Sequence, residues 1–238
     1  MLDFAILIAS LAVIAYFVVL LKTSGFLSEI KPTVSTEPKN LHKNLLVFYK
    51  YNIGSYSAVW NIINEVKSII PTKCKTFGIF YDNPEVVPAN LLQSAVGVVY
   101  TENDEKLFDE KYTDELKKAG FERMALPQID RAVQVVQPST GGWLSIFALV
   151  NRTYGIVKNY ISENRLETQY AVEFYTEKEI SIEFPLAKID EFLVPDYIPT
   201  EELEAKLARK KFDSDEEDSE SEPDGEEDEE QEKTSDEQ

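Results

Sequence analysis

Apolar positions along this chain fall into three regimes. From Phe4 to Leu21 they are nearly continuous, eighteen positions without a charge. At 1.5 Å rise per residue such a helix is about 27 Å long, close to the hydrocarbon thickness of a thin bilayer. A core helix is rarely apolar on every face, so this pattern predicts a membrane anchor over residues 1–21. Residues 22–43 are polar and broken by Pro32 and Pro38, which reads as a linker. Short apolar runs then alternate with helical stripes. Strands are predicted at Leu45–Tyr49, Phe77–Tyr81, Ala95–Tyr100, Ala132–Val136, Tyr170–Tyr175 and Ile180–Leu186. Val59, Trp60, Ile63, Val66 and Ile70 recur at helical spacing, and a longer stripe runs from Trp143 through Ile146, Phe147, Val150, Tyr154 and Val157 to Ile161. A short charged helix near Asp109–Ala119 stops at Gly120. Each half thus reads strand–helix–strand–strand, an α+β domain duplicated as β-α-β-β over residues 44–199 with a cleft between the halves. A short helix is expected over 200–212.

Charge changes the picture only at the end of the chain. The formal net charge is −19, and residues 213–238 hold sixteen acidic side chains against one lysine, which leaves −4 for the rest. That segment has no aliphatic or aromatic residue to offset chain entropy, so it is expected to stay disordered. Ser214, Ser219, Ser221 and Thr234 each have an acidic residue three positions on, the pattern acidophilic kinases favour, and each phosphate would add about −1.5 to −2 charges. The simpler reading is a solubilising spacer. With a net charge of −4 outside this segment nothing would neutralise phosphates in quantity, so direct nucleic-acid binding is not expected.

A cleaved signal peptide is the rival to the anchor. Its usual positive opening is missing, because the one side-chain charge before the apolar run is Asp3. Lys22, Lys31, Lys39 and Lys43 follow the run, which by the positive-inside rule leaves domain and tail in the cytosol. The chain has one cysteine, Cys74, and one histidine, His42. No intramolecular disulfide can form. Zinc sites, a Cys–His dyad and a Ser–His–Asp triad each need a histidine inside the fold, and His42 lies in the linker. No cofactor is expected.

The run Phe80-Tyr81-Asp82-Asn83-Pro84-Glu85-Val86-Val87-Pro88, followed by Leu91 to Gly97, resembles the first repeat of GyrI-like domains. Val172 to Tyr175 and Ile182 to Leu186 resemble the second. With the N-terminal anchor, residues 1–200 resemble the testis-expressed protein 264 family of endoplasmic reticulum membrane proteins. That resemblance implies a non-enzymatic receptor in selective autophagy of the endoplasmic reticulum, partnered by ubiquitin-like autophagosome proteins. It also implies a link to a AAA unfoldase in repair of DNA–protein crosslinks, with autophagosome or nuclear envelope as further locations. Family receptors dock through an aromatic-x-x-aliphatic strand in the tail. Here the aromatic nearest the tail is Phe212, and the residue three on is Asp215.

GyrI-like relatives meet cationic or reactive ligands with cleft carboxylates, which singles out Glu173 and Glu183. A carboxylate walled by Tyr81, Tyr175 and Trp143 would have a raised pKa and could serve a sensor or hydrolase. The simpler reading sets both glutamates toward solvent on alternate strand positions and the aromatics in the core.

Overall fold

The computed structural model describes residues 2–219, with side chains from residue 3 to residue 209. The first element is α1 (Leu2–Thr23), 22 residues with none of its apolar window buried. At 1.5 Å per residue it measures about 33 Å, enough to cross a bilayer core. It is the one helix among the described residues long and apolar enough to do so.

Nine strands follow among the described residues: β1 (Thr33–Ser35), β2 (Leu45–Ile53), β3 (Thr76–Phe80), β4 (Gln93–Glu102), β5 (Glu105–Lys106), β6 (Glu122–Leu126), β7 (Ala132–Pro138), β8 (Ala171–Tyr175) and β9 (Glu179–Pro185). They form one antiparallel sheet in the order β1-β7-β9-β8-β3-β4-β2-β6, with β5 paired to β4. The helices are α2 (Val59–Ile69), α3 (Lys111–Lys118), α4 (Trp143–Ala148) and α5 (Tyr154–Glu163), the last two joined by a π turn at Leu149–Thr153. The expected duplication is visible in the order. β2-α2-β3-β4 and β7-α4/α5-β8-β9 are equivalent units, and they meet where β3 pairs with β8, Ile79 opposite Val172.

Strand alternation sends successive side chains to opposite faces. One face carries Leu45, Val47, Tyr49, Phe77, Ile79, Tyr81, Val172 and Phe174, sealed by Leu41 and Phe192. The other lies under the helices, with Val133, Val135, Ile180 and Ile182 beneath the second helical unit and Phe48, Val98 and Tyr100 beneath α2 and α3. Helix α3 ends at the left-handed Gly120 (φ +85°), as its sequence predicts.

Two boundaries differ from the sequence reading. The supposed linker 22–43 is built into the domain. β1 pairs with β7, Ile30 is buried, and Leu41 is fully inaccessible in the core on one face of the sheet. A three-residue strand next to Pro32 is too short to show periodicity, and it occupies a sheet edge, where proline is tolerated. A separate unit, Ile198–Gln238, carries α6 (Thr200–Ser219), whose backbone passes the expected end at Phe212. Glutamates 201 and 202 in its first turn favour the positive helix start. Ser214 and Ser219 fall on this helix; the side chain of Phe212, and all of Ser221 and Thr234, lie outside the described residues.

Candidate functional site

On the helix-covered face, a cavity of about 1010 Å³ opens between the two halves, above the β3–β8 seam. Tyr56 comes from the 3-10 turn Tyr56–Ala58 that leads into α2, Trp60 from the start of α2, Phe80 from β3, Tyr154 from α5, and Glu173 and Tyr175 from β8. Ser55 starts this wall by accepting a bond from the Ser57 amide at the helix entry. Trp60 meets Tyr175 edge to face with ring centroids 5.7 Å apart, and Tyr56 meets Phe80 at 4.8 Å. These aromatic pairs stiffen the walls as well as burying area.

Glu173 is the ionisable group set deepest here, 4% exposed. Tyr154 donates its hydroxyl to one carboxylate oxygen and Tyr175 donates to the other, the latter at 2.6 Å. Burial pushes the Glu173 carboxyl above the usual carboxylate range, and the two tyrosine bonds only partly oppose it. The same burial, with the carboxylate beside them, drives both tyrosines well above their ordinary value. The group is therefore a buried carboxyl whose ionised form a positive charge in the cavity would favour, with both oxygens already oriented.

The sign of its pH effect follows. The folded chain keeps a proton on Glu173 at pH values where the unfolded chain, near 4.5, has lost it. Stability should thus fall as pH rises from that value through the folded pKa. Glu102 acts in the opposite sense. Burial alone would raise its pKa, but bonds from Lys43 and Lys75 hold it below the ordinary value, so its contribution is lost as pH falls. Comparing wild type with Glu173→Gln isolates the first group. As pH rises above about 4.5 the denaturation midpoint of wild type should decline relative to the variant. A constant difference would show that Glu173 titrates normally.

Of the five residues the sequence offered for this cleft, Glu173 and Tyr175 come together and three do not. Tyr81 lies on the opposite face, where its hydroxyl donates to the Phe192 carbonyl at 3.1 Å. It follows Phe80 directly, so alternation sends the two rings to different sides. Glu183 also faces that side, opposite Val172 in the register, and is fully buried. Its carboxylate accepts from the Asn40 amide (3.0 Å), Asn40 Nδ2 (2.7 Å), the Leu41 amide (2.9 Å) and the Ser181 hydroxyl (2.9 Å). It is a structural clasp on residues 40–41. Trp143, expected as wall or core, is 78% exposed at the start of α4. The solvent-facing alternative fails as well, since both glutamates are buried.

Sequence reasoning missed Trp60 and Tyr154 as site residues because they fall on helical stripes that read as core, and Tyr56 because it lies on the short turn between a strand and a stripe, where no periodicity marks it. A buried tyrosine hydroxyl must find a partner, and in Tyr154 that requirement was the available signal.

No family model matches the chain. Among solved structures it is similar to the C-terminal domain of EcmrR (18% identity, TM-score 0.40, covering 67% of this chain and 97% of that one). It is similar also to a hydrolase from Listeria innocua (8%, TM-score 0.40, 66% and 91%) and to an uncharacterized conserved protein from Listeria innocua (9%, TM-score 0.40, 69% and 98%). Curated relatives are nearer in sequence. Testis-expressed protein 264 of Homo sapiens is 31% identical over 178 residues, which is 75% of this chain and 55% of that protein. The Mus musculus homolog is 30% identical over 185 residues, 78% of this chain and 58% of that one. The chain spans a little over half the length of these relatives. With the anchor-like helix in front and identity running through three quarters of its length, the chain belongs to the testis-expressed protein 264 family.

Proposed function

We propose that this chain is a non-enzymatic adaptor for selective autophagy of the endoplasmic reticulum. In this reading it is anchored in that membrane by α1, with the domain and acidic segment in the cytosol. The observation that carries the reading is α1 itself. It is uncharged from Phe4 to Leu21, unburied, and runs directly into a folded domain in a chain of this family. Lys22 in its last turn and Lys31 beyond its end favour a cytosolic exit. Partners would be ubiquitin-like autophagosome proteins and, in repair of DNA–protein crosslinks, a AAA unfoldase at the nuclear envelope. Two internal matches to the docking pattern, Trp60 to Ile63 and Tyr154 to Val157, are unsuited to it. Their aliphatic members are each 1% exposed, and the docking proposed here is instead through Phe212 with its flanking carboxylates, although Asp215 stands where the pattern has an aliphatic residue.

Sealed microsomes carrying the chain test orientation and docking together. Immobilised ubiquitin-like autophagosome proteins should capture intact vesicles, and capture should be lost after protease treatment or with Phe212→Ala. Vesicles that lose the domain to protease, yet are never captured, would refute the docking. Protection from protease, with a glycan on Asn151, would reverse the orientation. That glycan is disfavoured by the fold too, since Thr153 of its sequon is buried and donates to Gln137 at 2.6 Å.

The cavity favours a second reading, a tethered sensor that binds a cationic small molecule against Glu173. Both carboxylate oxygens are already held by tyrosine hydroxyls, which suits recognition better than proton abstraction. Such a ligand would draw the proton from Glu173 and so reshape the pH slope described above; a slope unchanged by every cation tried would count against it.

A further inference from the structure

The end of α1 does not lead into open chain. Ser24 is fully buried, and its carbonyl accepts from Gln137 Nε2 at 3.3 Å. The Gly25 carbonyl accepts from Arg152 Nη1 at 3.1 Å. A Cβ on Gly25, whose φ is +94°, would lie 2.4 Å from the Gln137 side chain, so the exit of α1 lies close against the domain there. The Leu27 amide turns back to the Leu21 carbonyl at 3.1 Å, which returns Leu27 to the level of the helix's last turn. Phe26 stacks on Phe147, the rings 6.0 Å apart and 8° from parallel. Trp143 packs against the edge of Phe147 at 6.4 Å.

Around this junction the domain exposes large apolar side chains: Trp143 at 78%, Val150 at 61%, Leu27 at 55% and Phe147 at 48%. A soluble surface scatters such residues singly; here they gather on α4, the π turn and the exit of α1. Phe147 touches Phe26, three positions beyond the last residue of α1, so the patch cannot be far from the plane where that helix leaves the hydrocarbon. Tryptophan is favoured at that depth, its ring in the headgroup region and its indole N–H hydrated.

We propose that this patch is seated in the membrane–water interface, a second contact with the bilayer that fixes the tilt of the domain over its anchor. The proposal rests on the reading that α1 spans the membrane. Its occupant is the lipid surface, because the patch is continuous with the anchor's exit through the Phe26–Phe147 stack, and Gln137 and Arg152 bond the domain to that exit at Ser24 and Gly25.

The test uses the full chain in phosphatidylcholine vesicles with or without bromine on the acyl chains near the headgroups. Bromine quenches tryptophan emission at contact, and Trp143 and Trp60 are the two tryptophans in the chain. Wild type should lose a bromine-sensitive fraction of its emission, and W143F should lack that fraction while remaining equally resistant to alkaline extraction. Its exposure means W143F should unfold at the same denaturant concentration as wild type. Quenching equal in wild type and W143F would overturn the proposal and leave the anchor intact, provided alkali still fails to extract the protein. Cross-linking between patches that rises with protein density, without quenching, would assign the face to a second copy and also overturn it. Extraction by alkali would remove the anchor reading and this proposal together.

Discussion

Replacing Glu183 with alanine should lower the stability of the folded domain by about 3–5 kcal/mol, since three buried N–H donors lose their acceptor at about 1–2 kcal/mol each. Those donors are the main-chain amides of Asn40 and Leu41 and the Asn40 side chain, all bonded to one inaccessible carboxylate. No water can replace it without opening the core, for Leu41 is fully buried and its carbonyl accepts from the Ile129 amide at 2.8 Å. Domain stabilities are on the order of 5–15 kcal/mol, so the loss is a large share of the whole. Glu183→Gln should cost less, because one oxygen still accepts while the new NH2 faces other donors. A chain begun at residue 43 lacks Asn40 and Leu41 and should be destabilised like the alanine variant, whereas one begun at Ser24 keeps them. Urea denaturation compares all four chains. A shift under about 1 kcal/mol for Glu183→Ala would mean the clasp is open in solution.

Gly97→Ala should be comparably damaging, about 3 kcal/mol or more, at the upper end for overpacking. Gly97 sits inside β4 opposite Tyr49, and a Cβ there would fall 1.8 Å from the Phe48 carbonyl oxygen and 2.8 Å from its carbon. These are main-chain atoms of the neighbouring strand, so no rotamer change relieves the overlap. The β2–β4 ladder, the longest pairing in the sheet, would have to part locally. Gly54 is the control: a Cβ there meets nothing within 4 Å, so any loss at that site comes from its φ of +127° alone. Thermal denaturation should show Gly97→Ala well below both wild type and Gly54→Ala; equal midpoints for the two variants would contradict the steric account.

The strands and helices of both halves were legible because their apolar residues recur with period two or at helical spacing, and the duplicated order followed. β1 and β6 were not. Thr33–Ser35 is three residues long, and Glu122–Leu126 buries only its last residue, so neither carries an alternation to read. The site was half legible for a related reason. Residue type marked Glu173 and Glu183, but which face each occupies depends on cross-strand register, Glu173 opposite Ile182 and Glu183 opposite Val172. A single sequence states the period of a strand and not its partner. Trp143 opened an apolar stripe that reads as core, yet it lies at the helix's outer end, where the stripe runs off the sheet.

The seam between the halves has a consequence for how the chain is made. β2, α2, β3 and β4 leave the ribosome as a unit that can pair among themselves, but β3 offers its second edge to β8 alone. That edge, Thr76–Phe80, is apolar, and it must wait for residues 171–175, most of the domain later. During synthesis the nascent first half therefore presents an unpaired hydrophobic strand, the kind of surface that recruits chaperones or a neighbouring nascent chain. If α1 is already in the membrane, that exposed edge is held beside the bilayer and away from chains free in solution. Tethering would then act as a folding aid before it serves any later purpose.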